Sequence, residues 1–177
     1  MGEAVLHDSA SHGRKVILLM GRPYHIDPLI NHNIPQLLTD FGVDVITEDC
    51  IPMLGEAVET RYVMTQWEYL NRYFHAAHWV GQHENVELVQ LNSFGCGPDP
   101  FTLEEVRAIL AEYGKHPTVI RIDEIESAGS TNLRLRSMME AQRQAGANPH
   151  RVQVPRRTTR AYQAVDRPRT LLVPDFS

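Results

Sequence analysis

Two cysteines, Cys50 and Cys96, are all that 177 residues contain, which excludes a disulfide framework as the source of stability. No apolar run approaches the roughly 20 residues that a membrane-crossing helix needs, so no membrane role is expected. Neither GxGxxG nor GxxxxGK[ST] occurs. The phosphate-cradling turns of dinucleotide and nucleoside triphosphate sites therefore have no counterpart here. The segment Met1–Arg14 has neither the apolar core of a signal peptide nor the Arg-rich character of a transit peptide, and the expectation is a cytoplasmic protein with free thiols. An excess of basic charge is also lacking. The net charge is −5, and the stretch Arg151–Arg169 holds six arginines against Asp166, which leaves about −10 for the remainder. Nothing in that body suggests a nucleic-acid footprint.

What is present is an ordinary globular composition, 42% hydrophobic and 22% charged, with length for one domain and a core. Short apolar runs alternate with helical periods. Lys15–Met20 predicts a first strand and Val43–Ile46 a second, Val86–Leu91 a third and Pro117–Ile122 a fourth. Between them fall a helix capped by Asn31 or Asn33 with Pro35 in its first turn, and a long helix from Arg61 to about Val80. A further helix opens on the capping box Thr102-Leu103-Glu104-Glu105, and a last one covers about Thr131–Gln144 and stops at Gly146. Strict alternation of four strands and four helices predicts an α/β fold, a Rossmann-like or flavodoxin-like three-layer sandwich around a four-stranded parallel sheet. The expected organisation is an N-terminal extension over 1–14, the α/β domain over 15–146, and an Arg/Pro-rich linker over 147–177 that holds the start of a further strand at Thr170.

If the strands are parallel, their exits share one edge of the sheet, where open α/β folds bind ligands. That edge collects Gly21-Arg22-Pro23-Tyr24-His25, Glu48-Asp49-Cys50, Asn92-Ser93-Phe94-Gly95-Cys96-Gly97 and Asp123-Glu124. Cys96 lies between glycines at the foot of a helix, an environment that favours a thiolate. Cys50, judged alone, reads more readily as an inert buried thiol. For His25, a loop histidine holding backbone carbonyls stands beside the ligand reading. His75, His78 and His83 read as a polar helix face and its end, and Trp67 with Phe74 as a core stripe. Asp123-Glu124 suits a ribose hydroxyl, a metal or a lysine, and equally a solvated strand end. Arg134 and Arg136 are candidates to pair with that acid or with a phosphate.

Five separated stretches carry a resemblance: GRPYHIDPLINHNIP, TEDCIP, WEYLNRYFHAAHWV, LVQLNSFGCGPDP and RIDEIESAGSTNLRLRSMMEA. Over roughly 15–143 the chain resembles a domain of activase-related proteins of the 2-hydroxyacyl-CoA dehydratase system. That family is similar in fold to the iron–sulfur subunits of the dehydratases. The resemblance implies a [4Fe-4S] cluster with Cys96 as a candidate ligand and Cys50 as a second. It also implies that Ser93, Gly95, Gly97, His25, Asp123 and Glu124 line the site. The implied partners are an ATPase activator module or a further dehydratase-like subdomain, and a homo-oligomer is the other assembly left open. The departures are the lack of an ATPase module, too few cysteines to complete a cluster, and Asn33 where the family pattern has glycine. The TLLVP stretch resembles the opening of a next subdomain, so a fragment or a short stand-alone relative is expected. The reading is a dehydratase-like domain contributing cysteine ligands to an iron–sulfur or acyl-CoA site in ATP-driven reductive chemistry. The alternatives are a non-catalytic scaffold and a small thiol- or zinc-dependent enzyme.

Overall fold

Every residue of β1 (Val16–Met20) is buried, the mark of a strand covered on both faces. In the computed structural model, which describes residues 2–51, 67–93, 97–122 and 128–147, β1 lies inside an all-parallel sheet. The other strands are β2 (Asp44–Thr47), β3 (Val86–Asn92) and β4 (Thr118–Arg121), in the order β2-β1-β3-β4. Leu18 sits opposite Ile46 on one side and Leu88 on the other, and Val89 pairs with Thr118. The chain runs outward from β1 to β2, then crosses back to β3 and on to β4. This is the start of the flavodoxin-like order, with its switch point between β1 and β3.

Alternation along the strands sorts the core into two layers. Val16, Leu18, Met20 and Leu88 face Phe74 and Val80 of α3 (Glu68–Gln82) and Val106 and Leu110 of α4 (Pro98–Glu112). Ile17, Leu19, Val89, Leu91 and Ile120 face Ile34 and Leu38 of α2 (Ile34–Asp40) and Leu135 of α5 (Ala128–Ala147). Most of these side chains are fully enclosed, each contributing about 1.5–3 kcal/mol of hydrophobic stabilisation.

The sequence assigns no element to its first fourteen residues, yet Gly2–Ser11 forms a helix, α1. Its apolar content is too sparse to show a period. It is held instead by what it docks on, the edge strand β2. Val5 and Leu6 pack on the α3/α4-side core, and Ser9 Oγ donates to Asp44 Oδ2 at 2.6 Å. Arg14 Nε donates to the same carboxylate at 2.8 Å. The Ser9 hydroxyl, then Arg14, holds Asp44 below the ordinary carboxylate range. Gly2 lies so close to β2's exit that an added Cβ would be 2.6 Å from the Cys50 carbonyl oxygen.

Three further expectations change. The capping box at Thr102 does not form. The helix starts earlier, at Pro98 after Gly97, because proline's fixed φ suits a first helical position. Thr102 Oγ1 bonds back to the Pro98 carbonyl at 2.9 Å, and Glu105 is fully buried. Trp67 is not core: it precedes α3 and is 61% exposed, while Phe74 is 0% exposed. Asn33 occupies the cap position of α2 but makes no side-chain cap bond, its φ of +58° being a left-handed conformation that asparagine tolerates. The start of the long helix at Arg61 lies outside the described residues.

Candidate functional site at the carboxyl edge of the sheet

The switch point brings the exit of β1 against the exit of β3. After β1 the chain makes a turn of 3₁₀ helix, Pro23–Ile26, which places His25 under the turn at 2% exposure. His25 Nδ1 accepts the Arg22 backbone N–H at 3.0 Å, so in the neutral ring the proton sits on Nε2. Nε2 is 2.8 Å from Ser93 Oγ, one residue past β3, and donates to it. The Tyr24 hydroxyl reaches the same oxygen at 3.3 Å. A second link runs alongside: Ser93 N–H donates to Asp99 Oδ2 at 3.3 Å, and Arg22 Nη2 donates to Asp99 Oδ1 at 2.8 Å. Asp99 is in the first turn of α4, where its charge faces the positive helix end.

The turn itself is pinned from beneath. Asn31 is fully buried, and its Nδ2 donates to the carbonyls of His25 and Ile26 at 2.9 and 3.1 Å. Gly21 is a site of close approach, because an added Cβ would be 2.7 Å from His25 Nδ1. Among the described residues His25 thus takes a backbone N–H on one ring nitrogen and faces a hydroxyl with the other. Its tautomer donates to Ser93, which leaves it unable to take that hydroxyl's proton, and no Ser-His nucleophile is set up.

Beside this link, between β1, β2 and α2, opens a cleft of about 370 Å³ lined by Leu19, Val45, Leu91, Pro35, His25 and Glu48 among others. Glu48 follows β2 directly and is 6% exposed. Burial pushes its carboxyl up to about 7, and neighbouring Asp49 adds to the rise, while backbone N–H groups, including that of Gly21, and Arg72 partly offset it. Tyr73 on α3 is raised as well, by burial first and then by Glu48.

Among the residues expected from sequence, the structure brings His25 and Ser93 into contact. Gly97 stands before α4 with helical backbone angles and open space around it, so nothing there demands glycine. Cys50 ends the turn after β2, half-buried against the α3/α4-side core, with Sγ 4.0 Å from Thr47 Oγ1. Cys96, Gly95, Asp123 and Glu124 lie outside the described residues. Arg134 reaches the Val119 carbonyl at 3.4 Å and Arg136 lies over the Phe41 ring, so each has a partner within the fold. His78 meets the Tyr113 hydroxyl at 3.2 Å, and His83 stacks on Trp79. Asn31 and Asp99 are the additions to the site, and Glu48, already among the residues gathered at the edge, gains its role through burial. Neither addition sits at a strand's end in the sequence: Asn31 lies between the Pro-rich turn and α2, and Asp99 in the first turn of α4.

Among the described residues no three of His, Cys, Asp and Glu come together in a metal-holding group. An iron–sulfur cluster usually takes four thiolates. Two cysteines in the chain make half that set, and Cys50 is packed against the core, so the donors of this chain alone do not fit a cluster.

The fold and its edge define a doubly wound α/β domain whose β1 and β3 exits are cross-linked into one polar mouth. Residues 1–51 match the family described as the CoA enzyme activase uncharacterised domain (DUF2229). The matched part runs from α1 through the turn after β2, and so carries His25, Asn31, Glu48 and Cys50. No curated protein and no solved structure matches the chain. No described helix is long and apolar enough to cross a membrane.

Proposed function

We propose that this chain is the dehydratase-like α/β domain of an activase-related protein, forming one wall of an iron–sulfur or acyl-CoA site that a second domain completes. In this reading Cys96 is a ligand contributed to the shared site and Cys50 a second, and a partner ATPase drives the reductive chemistry by supplying a low-potential electron. The chain's own part is to hold the exits of β1 and β3 rigidly against each other, through the Arg22–Asp99 and His25–Ser93 links.

The observation that carries the proposal is the distribution of exposed apolar side chains. Among the described residues the large ones, led by Leu29 at 88%, Phe101 and Leu133 at 67% each and Trp67 at 61%, lie on strand-exit loops or in the first turns of α3, α4 and α5. That is the same edge as the mouth, and apolar surface gathered at one edge marks an interaction face. A chain with two cysteines and such a face suits a site closed by another protein domain. A scaffold without chemistry would use the same face and leave the thiols idle. A zinc site through His25 would have to displace the Arg22 and Ser93 bonds that occupy both ring nitrogens.

Hydrogen exchange of the full chain, alone and mixed with the ATPase module of an activase-related protein and a dehydratase-type subunit, tests the assignment. Protection over 24–30, 67–69 and 97–101 is the expected result. Protection confined to the opposite edge, around Gly13–Lys15 and Arg136–Arg143, would overturn it.

A further inference from the structure

The amino edge of the sheet, opposite the mouth, carries a groove that the function proposed above does not use. Lys15 and Val43 stand at the entries of β1 and β2, Phe41 follows α2, and the carboxyl half of α5 runs past them. The groove between these elements has a volume of about 830 Å³, within the range of small-molecule sites. Phe41, Val43 and Met139 give it an apolar side, and Arg14, Lys15, Arg136 and Arg143 a basic one. We propose that this groove binds a small amphipathic monocarboxylate, with its apolar body against Phe41 and Met139 and its carboxylate on the guanidinium of Arg136.

The cations that the fold leaves uncompensated set the ligand's class. Arg14 is committed to Asp44 at 2.8 Å and to Asp8, and Arg143 to Glu140 at 3.0 Å. Lys15 donates to the Glu84 carbonyl at 3.3 Å, and its charge also acts on the buried carboxyl of Glu87. Arg136 differs. Among the described residues its guanidinium meets no carboxylate and lies over the Phe41 ring, 5.7 Å from the centre. Attraction to a ring uses a guanidinium's charge and not its N–H donors, so the fork that matches a carboxylate is still on offer. One such cation balances one negative charge. A dianionic head would bring a second charge towards Glu140, which lines the same groove, and a cationic ligand would meet four basic side chains. The half-buried Phe41 and Met139 favour an anion with an aliphatic body over a bare one, because the body removes their apolar surface from water.

Hexanoate, hexylammonium and hexyl phosphate, titrated into the full chain while backbone amide shifts are followed, separate the head groups. Hexanoate is expected to bind most tightly of the three, shifting the signals of Phe41, Gly42, Val43 and Met139 and leaving those of Leu91 and Ser93 in place. Acetate, with the same head and no body, should bind at least about tenfold more weakly. R136Q should weaken hexanoate binding at least about tenfold, and R136K, which keeps the charge without the fork, should fall between the two. Arg136 is exposed, so the remaining amide signals of R136Q should match those of the wild type, which separates loss of the site from loss of the fold. No shift at the groove with hexanoate, tighter binding of hexylammonium or hexyl phosphate, or equal hexanoate binding by wild type and R136Q would each overturn the proposal.

Discussion

Replacing Glu48 by glutamine should make the protein more stable at neutral and alkaline pH and remove one component of its pH dependence. The carboxyl titrates at about 7 in the fold against an ordinary 4.5, because burial penalises the charged form. Between those two values the folded chain keeps a proton that the unfolded chain has released. Stability therefore falls as pH rises through that window, and the loss is complete above the folded value. At about 1.4 kcal/mol per pH unit the difference amounts to about 3 kcal/mol. Glutamine has the shape of the protonated acid and cannot ionise. Urea unfolding of both proteins should give equal stabilities near about pH 4 and a glutamine variant more stable by about 3 kcal/mol near about pH 8. Groups such as His78, whose pKa burial lowers, are common to both chains and cancel in the difference. Parallel stability profiles across the whole range would show that Glu48 is hydrated or paired, and would refute the account of the cleft.

The close approach at Gly21 gives a paired test. Gly21→Ala should cost about 1–3 kcal/mol by forcing His25 away from the Arg22 N–H, with a change in the imidazole nitrogen signals. Gly97→Ala, where an added Cβ meets nothing within 4 Å, should change stability by less than about 0.5 kcal/mol. Equal effects at the two positions would contradict the packing described. Lys115, 8% exposed, donates through Nζ to the carbonyls of Val80, His83 and Val86, tying the end of α3 to the start of β3. Lys115→Met should cost about 3 kcal/mol in chemical denaturation by leaving those carbonyls without this donor, and a cost under about 1 kcal/mol would show that they find other partners.

Much of the fold is legible from sequence because the strands are covered on both faces. VILLM is an uninterrupted apolar run bounded by Gly21, and such runs mark strands whatever their neighbours do. The alternation of four such runs with helical periods leads to the parallel sheet, and parallel order alone gathers the exits into one mouth. The helix α1 is hidden because its fixing contacts, Ser9 and Arg14 to Asp44, are tertiary and leave no local period. The start of α4 shifts because Pro98 pre-orders its first turn before the Thr102 capping box can compete. Trp67 belongs to the exposed rim, although its spacing from Phe74 matches a core stripe. In the site, His25 and Ser93 are found at strand exits, but their contact crosses 68 residues and no spacing announces it. Glu48 looks like any solvated acid in the sequence. Its burial under the β1 exit, which lifts its pKa, exists only once the sheet has formed.

The most direct measurement is iron and acid-labile sulfide in this chain combined with the ATPase module of an activase-related protein and a dehydratase-type subunit, purified without oxygen, for wild type, Cys96→Ser and Cys50→Ser. The account predicts iron and sulfide in comparable amounts, reduced together by Cys96→Ser while the complex stays assembled. A complex with neither element, or with both elements unaffected by either substitution, would contradict it.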